Sequence, residues 1–150
     1  MKLEIFTDGA CSGNPGPAGI GVVIKRDGKV VKEISKPIGQ ATNNIAEYSA
    51  LIYALQEALI LKANEVSVKS DSELMCQQVA GIYKVKHENI KPLFEQIKHL
   101  CSGFKSVKVV HVPREQNAAA DRLARNALKT GQDGRSDVLD VGEESPSSKG

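Results

Sequence analysis

Four acids stand where the residues around them are apolar. Asp8 closes an alternating run that begins at Lys2, and Asp71 closes a second apolar run, Glu65 to Ser70. Glu47 stands beside Leu51, Ala54 and Ala58 in the first turn of the longest helical pattern, and Asp121 lies inside an Ala-rich one. An ionised carboxylate in apolar surroundings costs free energy unless it is paired or bound to a cation. If the runs ending in Asp8 and Asp71 are parallel neighbours in a sheet, both side chains emerge at the edge where open α/β sheets bind ligands. Carboxylates that converge there without compensating bases repel one another, and divalent cations relieve that repulsion. Oxygen-only ligands near phosphate favour Mg²⁺ or Mn²⁺. Two such ions ~3.5–4 Å apart can activate a water and stabilise the leaving oxygen of a phosphodiester. Each acid also has a plainer role. A strand-end Asp forms turns or caps helices, and a first-turn Glu complements the helix dipole. Spacing by itself leaves both readings open.

The elements that must position these acids follow from periodicity. Lys2 to Asp8 alternates as a strand, with Leu3 and Ile5 on one face and Glu4, Phe6 and Asp8 on the other. Ala18 to Arg26 is a second strand, Asp27-Gly28 a hairpin turn, and Lys29 to Ile38 the returning third strand. Asn43 to Lys62 is a helix with Ile45, Tyr48, Ile52, Leu55 and Leu59 along one ridge, and Asn43 or Asn44 can cap it. A fourth strand, Glu65 to Ser70, is followed by helices over Ser72 to Ala80 and Asn89 to Cys101, with Pro92 in the first turn of the latter. Phe104 to Val112 is the fifth strand and Asn117 to Lys129 the last helix. The order β-β-β-α-β-α-α-β-α gives an α/β fold, a five-stranded mixed sheet flanked by helices.

Composition narrows the function classes. A chain of 150 residues with 41% hydrophobic residues is one domain with one core. Trp is absent and Phe and Tyr number three each, so the core is aliphatic and a surface built on base stacking is excluded. Residues 130–150 hold five acids against two bases, a net −3. Residues 1–129 therefore carry +5 of a chain whose net charge is +2, which suits a polyanionic partner. The expected organisation is a catalytic domain over 1–129 and a disordered acidic tail over 130–150. Cys11, Cys76 and Cys101 are odd in number and lack metal-ligand spacing, so they read as free thiols in a reducing compartment. Neither a signal peptide nor an apolar run of spanning length is present. A cytoplasmic protein, a monomer without an obligatory protein partner and without membrane association, is expected.

Four blocks of sequence resemble the type 1 ribonuclease H family, in the family's order. They are Thr7-Asp8-Gly9-Ala10-Cys11 with Gly13-Asn14-Pro15-Gly16-Pro17-Ala18-Gly19, then Thr42-Asn43-Asn44-Ile45-Ala46-Glu47, then Ser70-Asp71-Ser72, and finally Asn117-Ala118-Ala119-Ala120-Asp121-Arg122-Leu123-Ala124. The resemblance covers residues 1–129. It implies a ribonuclease H-like fold and an endonuclease that hydrolyses the RNA strand of an RNA–DNA hybrid, leaving 5′-phosphate and 3′-hydroxyl ends. It implies two Mg²⁺ ions, with Mn²⁺ as a substitute, held by Asp8, Glu47, Asp71 and Asp121. It also implies substrate contacts at Cys11, Asn14, Asn43, Asn44 and Gln77, with Glu47 approaching a ribose 2′-hydroxyl, the group that separates RNA from DNA. Thr42 is expected either to bind a phosphate oxygen of the DNA strand or only to cap a helix.

The chain departs from the family pattern in three places. Only Tyr83-Lys84-Val85-Lys86-His87 stands where many members carry a long basic insertion, so Lys84, Lys86 and Lys91 are either phosphate contacts or a solvated charged loop. A minimal catalytic unit, without a hybrid-binding domain ahead of Met1, is therefore expected. His87 stands where a DNA-phosphate pocket often has Asn. The family's mobile loop His has no direct counterpart in His111-Val112-Pro113-Arg114. Arg114 is expected to take its role electrostatically, with His111, otherwise a half-buried sheet residue, as the alternative. The rival functions are a DNA strand-transfer or structure-specific nuclease, a non-catalytic hybrid-binding module, and a metal-binding regulator, for which no residue speaks. The asparagine elements favour hybrid recognition, and the presence of all four acids favours catalysis.

Overall fold

The computed structural model describes residues 1–132. Its elements are β1 (Lys2–Cys11), β2 (Gly16–Arg26), β3 (Lys29–Ala41), α1 (Asn43–Ile60), β4 (Glu65–Ser70), α2 (Glu73–Val79), α3 (Lys91–Cys101), β5 (Ser106–His111) and α4 (Ala118–Gln132), with one 3₁₀ turn, Arg114–Asn117, leading into α4. The sheet order is β3-β2-β1-β4-β5. β1, β2 and β3 form an antiparallel meander, and β4 and β5 run parallel to β1. This is the mixed five-stranded sheet that the pattern of elements requires.

Strand limits differ from periodicity where pairing decides them. β1 runs three residues past Asp8, because Gly9, Ala10 and Cys11 pair with Ile20, Gly19 and Ala18. β3 reaches Ala41 by pairing with Gly16, whereas β5 is trimmed to the six residues that face β4. Asp27 and Gly28 both hold positive φ, 52° and 79°, as a two-residue hairpin of right-twisted strands demands. α4 continues through Gln132, so the first three residues of the expected tail have helical backbone. The rest of that tail, 133–150, lies outside the described residues.

The core sits between one sheet face and α1. Leu3, Ile5, Val22, Ile24, Val66 and Val68 point from the strands toward Tyr48, Leu51 and Leu55. The ridge through Tyr48, Ile52 and Leu55 is buried as expected, but so are Leu51, Ala54 and Ala58, because α1 lies between the sheet and α3. Truncating Leu55 to Ala would cost about 2–5 kcal/mol. On the other sheet face α4 lies against β1, β2 and β3. Ala120, Ala124 and Ala127 of α4 are fully buried, and small size is what lets them seat on Gly19 and Gly21. A Cβ on Gly21 would stand 2.1 Å from the Ala120 carbonyl oxygen. Two helices therefore approach β1 from opposite faces, close to where it carries Asp8.

Candidate active site

The parallel pair β1–β4 ends on the rung Thr7–Ser70. The residue after each partner of that rung is an acid, so Asp8, still within β1, and Asp71, just past β4, stand side by side at the end of the ladder. Asp71 occupies the bend before α2, whose N-cap is Ser72, with its hydroxyl accepting from the Met75 amide. Glu47 arrives from α1, which can come this close only because residue 9 is glycine. A Cβ there would lie 2.3 Å from the Ala46 carbonyl carbon and 2.5 Å from the Glu47 nitrogen. The Gly9 amide donates to Glu47 Oε1 at 3.1 Å. Carboxylate oxygens of Asp8, Glu47 and Asp71 thereby lie within 4.8 Å of one another. Asp121 comes from the opposite side, on α4. It lines the same cleft but stands outside that three-oxygen group, and its Oδ2 accepts from Arg125 Nη2 at 2.8 Å.

Crowding shows in the acid strengths. Burial pushes the Asp8 carboxyl well above the usual carboxylate range, and the charges of Glu47, Asp71 and Asp121 push it further. Burial raises Glu47 as well, followed by the charge of Asp71. The Gly9 amide and a hydrogen bond with Asp8 work in the opposite direction. Among the described residues no lysine or arginine forms an ion pair with Asp8, Glu47 or Asp71. An all-oxygen, like-charged cluster without a basic partner fits a hard divalent cation.

The cleft holds about 510 Å³. Cys11 and Asn43 line its wall, joined by a hydrogen bond from Cys11 Sγ to Asn43 Oδ1 at 3.0 Å. Asn14 Oδ1 accepts from the Asn43 amide at 3.0 Å, which ties the β1–β2 turn to the start of α1. The N-cap of α1 is Thr42, capping being one of the two roles expected of it, rather than Asn43 or Asn44. Its hydroxyl accepts from the Ile45 amide, because Thr42 holds extended backbone while both asparagines are already helical. Asn44 and Gln77 are half-buried and not among the residues that line the cleft.

Arg114 opens the 3₁₀ turn, exposed, on the cleft wall. His111 is also exposed and lines the cleft, which corrects the expectation of a half-buried sheet residue. It is the last residue of edge strand β5, beyond the part of the sheet that α4 covers. Sequence reasoning gave Arg125 no role. The signal was available, since Arg125 follows Asp121 by four residues on a helix and so shares its face. Asn117 was noted only as part of a motif, yet it is buried and bonded to β1.

Comparison with known proteins gives the family. Residues 6–127 match the family model described as reverse transcriptase-like. A ribonuclease H of Geotalea uraniireducens is 48% identical over 143 residues, covering 86% of this chain and 95% of the relative. A bifunctional protein of Mycobacterium tuberculosis is 41% identical across all of this chain, which spans only 43% of that relative's length. The solved N-terminal ribonuclease H domain of that protein matches with a TM-score of 0.83 at 43% identity, over 85% of this chain and 99% of that one. LC11-RNase H1, isolated from compost by a metagenomic approach and solved in complex with RNA/DNA hybrid, matches with a TM-score of 0.83 at 43% identity, over 87% of this chain and 99% of that one. The chain belongs to the type 1 ribonuclease H family of phosphodiester hydrolases.

Proposed function

We propose that this protein cuts the RNA strand of RNA–DNA hybrids endonucleolytically by two-metal-ion hydrolysis, leaving 5′-phosphate and 3′-hydroxyl ends. The observation that carries the reading is the convergence of the Asp8, Glu47 and Asp71 oxygens within 4.8 Å at the end of a parallel strand pair. These three would hold Mg²⁺, with Mn²⁺ as a substitute, and Asp121 would complete the set. When bound, the ions supply an activated water and neutralise charge on the phosphodiester. The relative solved with an RNA/DNA hybrid supports that substrate class.

The chain's own residues have three tasks. Gly9 holds the Glu47 carboxylate through its amide, and that carboxylate would serve a ribose 2′-hydroxyl as well as the metal. Asn14 and Asn43 each have the side-chain oxygen engaged, so each side-chain NH₂ is the group left to donate. Minor-groove base edges present acceptors to such donors. Arg114 and His111 stand on the cleft wall, where the Arg114 guanidinium would meet the scissile phosphate as the ribose 3′-oxygen departs. Thr42, Asn44 and Gln77 act at the margin of this surface.

We place the protein in the cytoplasm as a monomer. Among the described residues no helix is long and apolar enough to cross a membrane. Strand-labelled RNA–DNA, DNA–DNA and RNA–RNA duplexes, each incubated with Mg²⁺ and with EDTA, test the reading. Cleavage confined to the RNA strand of the hybrid and abolished by EDTA is expected. Efficient cutting of duplex DNA would transfer the assignment to the DNA-nuclease rival.

A further inference from the structure

The fourth acid is tied to the first by a residue that the proposed chemistry does not use. β4 stops at Ser70, so Thr7 is the last residue of β1 with a partner on β4. Where the ladder ends, the side chain of Asn117 takes its place. Its Nδ2 donates to the Thr7 carbonyl at 2.8 Å, across 110 residues of sequence. On the neighbouring strand the Val112 amide caps the Ser70 carbonyl at 2.9 Å in the same way.

Asn117 is 1% exposed, and its Oδ1 has no hydrogen-bond partner. Nor has the buried Thr7 Oγ1. A buried amide with an unsatisfied oxygen costs free energy that an aliphatic side chain would not. What the amide provides and a hydrocarbon cannot is the bond to Thr7. Asn117 ends the 3₁₀ turn and leads without a break into α4, so Asp121 stands about one helical turn further on. Thr7 immediately precedes Asp8. One hydrogen bond therefore links the residue before the first acid to the residue a turn before the fourth.

We propose that Asn117 is a positioning residue of the metal site, which sets where the Asp121 carboxylate stands relative to Asp8. The inference rests on the metal-nuclease reading above. Asn117 touches neither substrate nor metal and acts through Asp121. Partners that orient metal ligands characteristically change metal affinity or activity by ~10–100-fold when removed.

A double-mutant cycle separates positioning from general structural support. Mn²⁺ binding is measured by titration calorimetry, and hybrid cleavage as kcat and KM, for the wild type, Asn117→Ala, Asp121→Asn and the double variant. Melting in EDTA is recorded alongside. Asn117→Ala should weaken Mn²⁺ binding about tenfold or more and lower kcat with little change in KM. Combined with Asp121→Asn it should cost nothing further in either readout. An equal loss in both backgrounds, or unchanged Mn²⁺ binding in Asn117→Ala, overturns the inference while leaving the wild-type nuclease reading intact. A wild type that neither binds Mn²⁺ nor cuts hybrid removes both. If Asn117→Ala does not fold, Asn117→Ser is carried through the same cycle and judged by the same outcomes.

Discussion

The amide of Gly9 donates to the carboxylate of Glu47 at 3.1 Å, and the helix backbone bearing Glu47 lies where a Cβ of residue 9 would have to go. This single contact brings an acid from α1 to two acids at the end of the β1–β4 pair. A Gly9→Ala variant must push α1 away from β1 by more than side-chain adjustment, because the clashing atoms are backbone. Overpacking of this kind costs about 1–3 kcal/mol. Melting temperature should fall accordingly, and both hybrid cleavage and Mn²⁺ binding should drop by an order of magnitude or more. Near-wild-type cleavage in a folded Gly9→Ala protein would show that Glu47 needs no such approach.

The metal-free protein should lose stability as pH rises. Asp8 and Glu47 both titrate above their ordinary values of 3.8 and 4.5 in the folded state, chiefly through burial. The unfolded chain releases those protons at lower pH. Their favourable contribution is therefore full below the ordinary carboxylate range and is lost as pH climbs through it toward the raised folded values. In EDTA the melting temperature of Asp8→Asn should exceed that of the wild type at neutral pH, with the gap closing in acid. Mg²⁺ should raise the wild type and leave Asp8→Asn nearly unmoved, since ligand binding stabilises only a protein that binds. A wild type more stable than Asp8→Asn in EDTA at neutral pH would contradict the account of a carboxylate disfavoured by burial and by its neighbours' charge.

Arg114 and His111 share the cleft wall, so both become candidates for assisting departure of the product. Arg114→Ala should lower turnover roughly tenfold, about 1.4 kcal/mol of barrier, with a smaller change in substrate affinity. His111 is exposed at the end of β5, so His111→Ala should leave melting unchanged and lower turnover. A His111→Ala protein that melts several degrees lower with normal turnover would return His111 to a packing role.

Arg125 holds the Asp121 carboxylate at 2.8 Å, outside the three-oxygen group. Its guanidinium competes with a cation for that oxygen. Arg125→Ala should lower the Mg²⁺ concentration needed for half-maximal cleavage, with a stability change of a few tenths of a kcal/mol, the order found for i,i+4 helix pairs. A higher Mg²⁺ requirement would mean that Arg125 helps bind substrate rather than restraining Asp121.

Much of this architecture was legible because it is local or periodic. The runs through Leu3 and Ile5 and through Val66 and Val68 gave the two strands, and the acids closing them were visible as breaks in an apolar pattern. Thr7–Ser70 pairing then needed only that the strands be parallel. What stayed hidden depends on contacts between distant segments. The Asn117 bond to Thr7 spans 110 residues and leaves no periodic trace. The exposure of His111 depends on α4 covering β1 to β3 and not β5, which no pattern within Ser106–His111 encodes. The helix cap is a local matter instead: propensity ranks Asn above Thr, yet Thr42, for which capping was one of two expected roles, holds extended backbone while Asn43 and Asn44 are already in the first turn.

The most direct test is the rate at which Asp71→Asn cuts the RNA strand of an end-labelled RNA–DNA hybrid under single-turnover conditions, at saturating Mg²⁺ and again at saturating Mn²⁺. Asn keeps the shape of Asp71 and removes one of the three converging carboxylates. The account predicts a folded protein whose cleavage is nearly abolished with either ion, beside a wild type that cuts only the RNA strand and only with added metal. Near-normal cleavage by Asp71→Asn would contradict the assignment of Asp8, Glu47 and Asp71 as the metal site.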